Sequence, residues 1–169
     1  MTYNIHPLFV HFPIALLFVY SIIKIVPLIK WFPEVSWKPT ERVLLLIGVA
    51  SAFIASTTGE IAEHLVRPDH ALVEMHSLFA GISTWIYGLL LLGELLAMGI
   101  PFLARKIQMP RITAFLTLIE KILTHKVLSK ILAFFGLIAI SVTGLLGGVI
   151  VYGVTADPVA GIVLKLLGL

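Results

Sequence analysis

Four long apolar runs, at about 8–29, 43–63, 77–100 and 128–153, alternate along this chain with short polar or proline-bearing segments. Each run is long enough for a helix to cross a hydrocarbon core, which takes about 20 apolar residues. The first closes near "PLIKWFPEVSWKPTER" (27–42), whose three prolines and two tryptophans predict a short connection at the membrane surface. The second closes at "GEIAEHLVRPDH" (59–70). There Pro68 is expected to open the third helix, where its missing N–H costs nothing, with Asp69 in the first turn favoured by the helix dipole. A different pattern fills "PRITAFLTLIEKILTHKVLSK" (110–130): Ile112, Phe115, Leu116, Ile119, Ile122 and Leu123 stand at helical spacing against Arg111, Thr117, Glu120, Lys121 and Thr124. This predicts an amphipathic helix over about 110–126, lying on the membrane surface. The tail "PVAGIVLKLLGL" is too short to span and is expected at the outer interface.

Composition agrees with this pattern. Of 169 residues, 59% are hydrophobic and only 12% charged, with a mean hydropathy of +1.07. Those values lie far outside the range of soluble domains. The expected fold is all-α and integral to the membrane: a four-transmembrane-helix up-and-down bundle forming a single membrane domain over 1–169. The first helix follows no basic segment of the kind that opens a cleavable signal, so it is expected to stay. The pI of about 9.3 does not point to nucleic acid, because the basic residues are spread between apolar spans. The absence of cysteine excludes disulfides, thiolate metal sites and covalently attached haem within the chain.

The basic residues set the orientation. Lys24, Lys30, Lys38 and Arg42 flank the first connection, and Arg105, Lys106, Arg111, Lys121, Lys126 and Lys130 the third, which puts ten of twelve on one side. The positive-inside rule makes that side cytoplasmic, so both termini are expected outside. Histidines are distributed the other way. His6, His11, His64, His70 and His76 all fall at the outer ends of the first three spans, and only His125 lies inside.

Two short segments recur. "HPLF" at 6–9 returns as "HSLF" at 76–79, and "STTG" at 56–59 as "SVTG" at 141–144, in the same order and at matching depth. This predicts a duplicated helical hairpin, its copies related by a pseudo-twofold axis along the membrane normal. His6 and His76 then occupy equivalent positions on diagonally opposed helices, and His11 corresponds to Gly81.

An ionisable residue in or near a membrane is a functional candidate by default, and two kinds of site fit this cluster. One is b-type haem, with imidazole axial ligands, an apolar slot between helices, and low-bulk Gly59, Gly81 and Gly144, with Gly147 and Gly148, where the macrocycle approaches. The other is an imidazole–carboxylate centre for zinc, manganese or non-haem iron. Glu60 and His64 share one helix face there, as do His70 and Glu74, with Glu63, Asp69 and His6 nearby. No zincin motif, phosphate-binding loop or Ser-His-Asp arrangement is present to support hydrolysis.

"HPLFVHFPIAL" (6–16), the glycine-bearing end of the second span, the His76 opening of the third and "TGLLGGVIVYG" (143–153) resemble a bacterial family of four-helix membrane domains, the domain of unknown function 2231. The resemblance covers most of the chain. It implies a multi-pass protein of the bacterial inner membrane, similar in general look to small membrane cytochromes b, with His6, His11 and His76 as the positions to carry over. On this reading the protein holds one b-type haem at the outer face and exchanges electrons with quinol or a periplasmic redox protein. The expected axial pair is His11 with His76, and the symmetric alternative is His6 with His76. The competing readings are metal binding or transport through Glu60, His64 and the N-terminal histidines, and a structural subunit of a larger membrane complex, as a homo- or hetero-oligomer.

Overall fold

The computed structural model describes residues 4–66, 69–106 and 109–169. Six α-helices carry the chain: α1 (His6–Ile25), α2 (Trp37–Val66), α3 (His70–Lys106), α4 (Pro110–Leu123), α5 (Lys126–Tyr152) and α6 (Ala160–Leu167). No strand occurs among the described residues. The helices α1, α2, α3 and α5 are long and apolar enough to cross a membrane. They form two antiparallel hairpins, α1 with α2 and α3 with α5, joined through α1 against α5 and α2 against α3. The result is a closed four-helix bundle in which α1 and α3 lie on one diagonal.

Helix ends mark the membrane depth. Asn4 accepts a hydrogen bond from the His6 N–H at 3.1 Å and so caps α1. Asp69 accepts from the Leu72 N–H at 3.1 Å and caps α3 from just outside it, rather than sitting in its first turn. Pro68, expected as the opening residue, lies outside the described residues. Eighteen residues separate His6 from Lys24 and His76 from Glu94. At 1.5 Å per residue that is about 27 Å, close to the thickness of a hydrocarbon core. At the far end of α5, Gly153 takes φ of +79° and stops the helix, its N–H still bonded to the Val149 carbonyl at 2.8 Å.

The core divides by depth. Leu17, Tyr20, Leu45, Val49, Tyr87, Leu90, Ala133 and Ile140 fill the middle and one end of the bundle, and Leu146 and Val149 meet Ala160 and Leu164 of α6 at the end that carries His6 and His76. The tail is thus a short helix packed onto the histidine ends of α3 and α5. Bulky side chains of one helix press on glycines of its hairpin partner: Leu17 on Gly48, and Tyr87 on Gly136, where a Cβ would stand 2.8 Å from the ring. Tyr87 is fully buried and bonded to Ser21 Oγ at 2.7 Å, so it cannot yield. Gly136→Ala is therefore expected to lower stability by about 1–3 kcal/mol through overpacking. Gly148→Ala, where the added carbon meets nothing within 4 Å, serves as the unaffected control in thermal unfolding of the detergent-solubilised protein.

The expected amphipathic helix forms over Pro110–Leu123, and it packs along the end of α3. Gly93 permits this, since a Cβ there would lie 2.8 Å from that of Leu123. Thr113 and Thr117 line the groove shared with Ile100 and Ala104 of α3, while Ile112, Phe115 and Ile122 are exposed. The α3 helix, at 37 residues, is about 55 Å long and overhangs the bundle beyond Glu94.

Candidate histidine site at the outer end

The first turn of α1 brings His6 against α2. Its Nδ1 lies 3.1 Å from Thr58 Oγ1, and a Cβ on Gly59 would stand 3.2 Å from its Cε1. The Thr58 hydroxyl also lies 3.0 Å from the main-chain carbonyls of Ile54 and Ala55. With its proton on either carbonyl, Thr58 Oγ1 accepts from a His6 Nδ1–H.

The second hairpin makes a related contact, through a main-chain carbonyl instead of a hydroxyl and with a glycine one turn further along. His76 Nδ1 lies 3.0 Å from the Thr143 carbonyl, which accepts and cannot donate, so this ring too is protonated on Nδ1. The small residue beneath it is Gly147, where a Cβ would be 3.3 Å from His76 Cε1. Thr143 Oγ1 bonds to the Ala139 carbonyl at 2.8 Å, four residues back, as Thr58 does to that of Ile54. The recurring "STTG" and "SVTG" segments thus place equivalent threonines beneath equivalent histidines. Neither Nε2 has a hydrogen-bond partner among the described residues.

Other sequence-predicted residues are placed elsewhere. His11 lies on the exposed face of α1, its Nδ1 donating to the Pro7 carbonyl at 2.6 Å. Gly81 lies on the outward side of α3, on an open groove with Ser77, Leu78 and Trp85, and no atom approaches its would-be Cβ within 4 Å. Gly144 faces Ile14 across the α1–α5 contact at 3.5 Å and does not reach a histidine. Glu60, Glu63 and His64 are exposed near the C-terminal end of α2. His70 and Glu74 approach to 3.9 Å, yet their side chains are 89% and 73% exposed. Among the described residues no three His, Asp or Glu side chains converge as a metal site, so the residues considered for an imidazole–carboxylate centre are not gathered.

A family model described as "Predicted membrane protein (DUF2231)" matches residues 2–158. The chain belongs to that family. Neither the curated proteins nor the solved structures give a match. Membership agrees with the four apolar helices and describes a multi-pass membrane protein in contact with lipid. The family description gives no activity, so the chemistry must be argued from the two imidazoles. Sequence reading found both rings and missed Thr58 and Thr143, though the repeat that contains them was visible. It also treated Gly147 as one small residue among several.

Proposed function

We propose that His6 and His76 are the axial ligands of a b-type haem held at the outer end of the bundle, and that the protein carries electrons there. One observation carries this reading: two imidazoles from diagonal helices, each with Nδ1 hydrogen-bonded to an oxygen and Nε2 left free. A haem iron takes a neutral imidazole through Nε2, and an acceptor on Nδ1 fixes ring orientation and raises ligand basicity. Gly59 and Gly147 beneath the rings keep bulk away from both ligands. A bound haem would supply one-electron chemistry. The chain's part is to hold both rings, keep their Nε2 atoms unprotonated and surround them with apolar helix.

The pair His6 with His76 replaces His11 with His76 as the favoured pair, because His11 sits on the outward face of α1. The concentration of basic residues at the opposite end supports an outward-facing site in the bacterial inner membrane, with quinol or a periplasmic redox protein as the electron donor. Among the described residues no third His, Asp or Glu joins a histidine pair to complete a site for zinc, manganese or non-haem iron.

The test is the absorption spectrum of the detergent-purified protein, oxidised and then dithionite-reduced, with metal analysis of the same sample. A sharpened Soret and α band with about one iron per chain is the expected result for a single bis-imidazole haem. A colourless, iron-free preparation that cannot be reconstituted with haem overturns the reading, and stoichiometric zinc or manganese replaces it with a metal site.

A further inference from the structure

The end of the bundle opposite the histidines carries a charged cluster drawn from four helices. Glu94 of α3 is 6% exposed, and its two oxygens accept from Lys38 Nζ and, at 3.1 Å, from Arg42 Nε, both on α2. Lys24 of α1 pairs with Glu41 of α2 at 2.9 Å, and Lys130 of α5 donates to the Ile25 carbonyl at 3.0 Å. Four cations thus stand with two carboxylates. Glu94 fixes one side of Lys38 and Arg42 and leaves the other side open: their side chains are 46% and 37% exposed, and the Arg42 Nη groups have no partner among the described residues. Exposed Trp31 and Phe32 lie on the adjoining connection, with Phe32 set edge-on to Trp37 at 6.2 Å. Trp37 Nε1 is buried without a partner. Aromatic residues of this kind sit at headgroup level, which is where phosphates are found.

We infer that Lys38 and Arg42 form a receptor for a phosphate group, filled by an anionic phospholipid of that leaflet. The excess positive charge gives the affinity. The planar guanidinium, oriented through its Nε by a buried carboxylate, presents its remaining N–H donors to phosphate oxygens. Headgroup depth favours a lipid over free phosphate, and basic pockets between membrane helices take anionic headgroups on these terms. This inference does not depend on the haem.

The full-length protein in neutral detergent is titrated with phosphatidylglycerol, with phosphatidylcholine or with inorganic phosphate, and bound ligand is read by native mass spectrometry. Phosphatidylglycerol is expected to bind in preference to phosphatidylcholine. The triple variant Lys38→Gln, Arg42→Gln, Glu94→Gln removes both cations without orphaning the carboxylate. It is expected to lose about 25-fold in phosphatidylglycerol affinity, at roughly fivefold per basic residue. Glu94→Gln alone keeps both cations and is expected to bind phosphatidylglycerol at least as tightly as the parent. Saturable inorganic phosphate binding without lipid preference supports the receptor and assigns it to free phosphate. Equal retention of both lipids with no phosphate binding overturns it, as does a preference that survives in the triple variant. Should the triple variant not fold, a phosphatidylglycerol preference left unchanged by Arg42→Gln, which keeps Lys38 on Glu94, overturns it instead.

Discussion

Alanine at both Lys38 and Arg42 is expected to destabilise the bundle by about 2–4 kcal/mol, because the Glu94 carboxylate then loses both partners while its helix stays packed. Breaking a fully buried pair by removing one side costs about 3–5 kcal/mol, and the partial exposure of the two cations places this case somewhat lower. The measurement is thermal unfolding in detergent, compared with Glu94→Gln and with the triple glutamine variant. Neutralising all three groups together should recover most of the loss, since replacing a buried charge cluster as a unit is often neutral. A double alanine variant as stable as the parent would mean that Glu94 finds water or another donor.

The second large effect concerns the cofactor. His6→Ala and His76→Ala are each expected to abolish bis-imidazole haem absorbance, whereas His11→Ala and Glu60→Gln leave it intact. Thr58→Val keeps the shape of its site but removes the acceptor for the His6 Nδ1–H. Losing such an outer partner weakens ligand binding by about tenfold or more, so haem affinity should fall without the loss of the folded bundle. Haem loss in His11→Ala with full retention in His6→Ala would reverse the assignment and require α1 to rotate.

Much of the fold was legible because a bilayer imposes a length on every span. The helices nonetheless extend past the expected runs. The second, read as 43–63, occupies Trp37–Val66, since hydropathy marks only the part in lipid and not the polar turns "WKPTER" and "EIAEH" that continue the helix. The amphipathic segment was correctly read as a helix. Its contact with α3 through the threonine face was not foreseen, because the approach is granted by Gly93 and is invisible in a local pattern. At the candidate site the signal was present and underused. Five residues along a helix turn through about 140°, so His6 and His11 cannot both face the bundle interior. The repeat already singled out His6. The carbonyl of Thr143 as a partner could not be foreseen, because every residue has one and only the packing decides which is aimed at a ring.

The two imidazoles belong to separate hairpins, and this bears on biogenesis. The first hairpin is synthesised before α5, and the Thr143 carbonyl that holds the His76 ring arrives only with that last spanning helix. A ligand held by both rings would act as a clasp, shifting the equilibrium between loosely associated and closed hairpins by its own binding free energy. Maturation of the site and final closure of the bundle would then be one event.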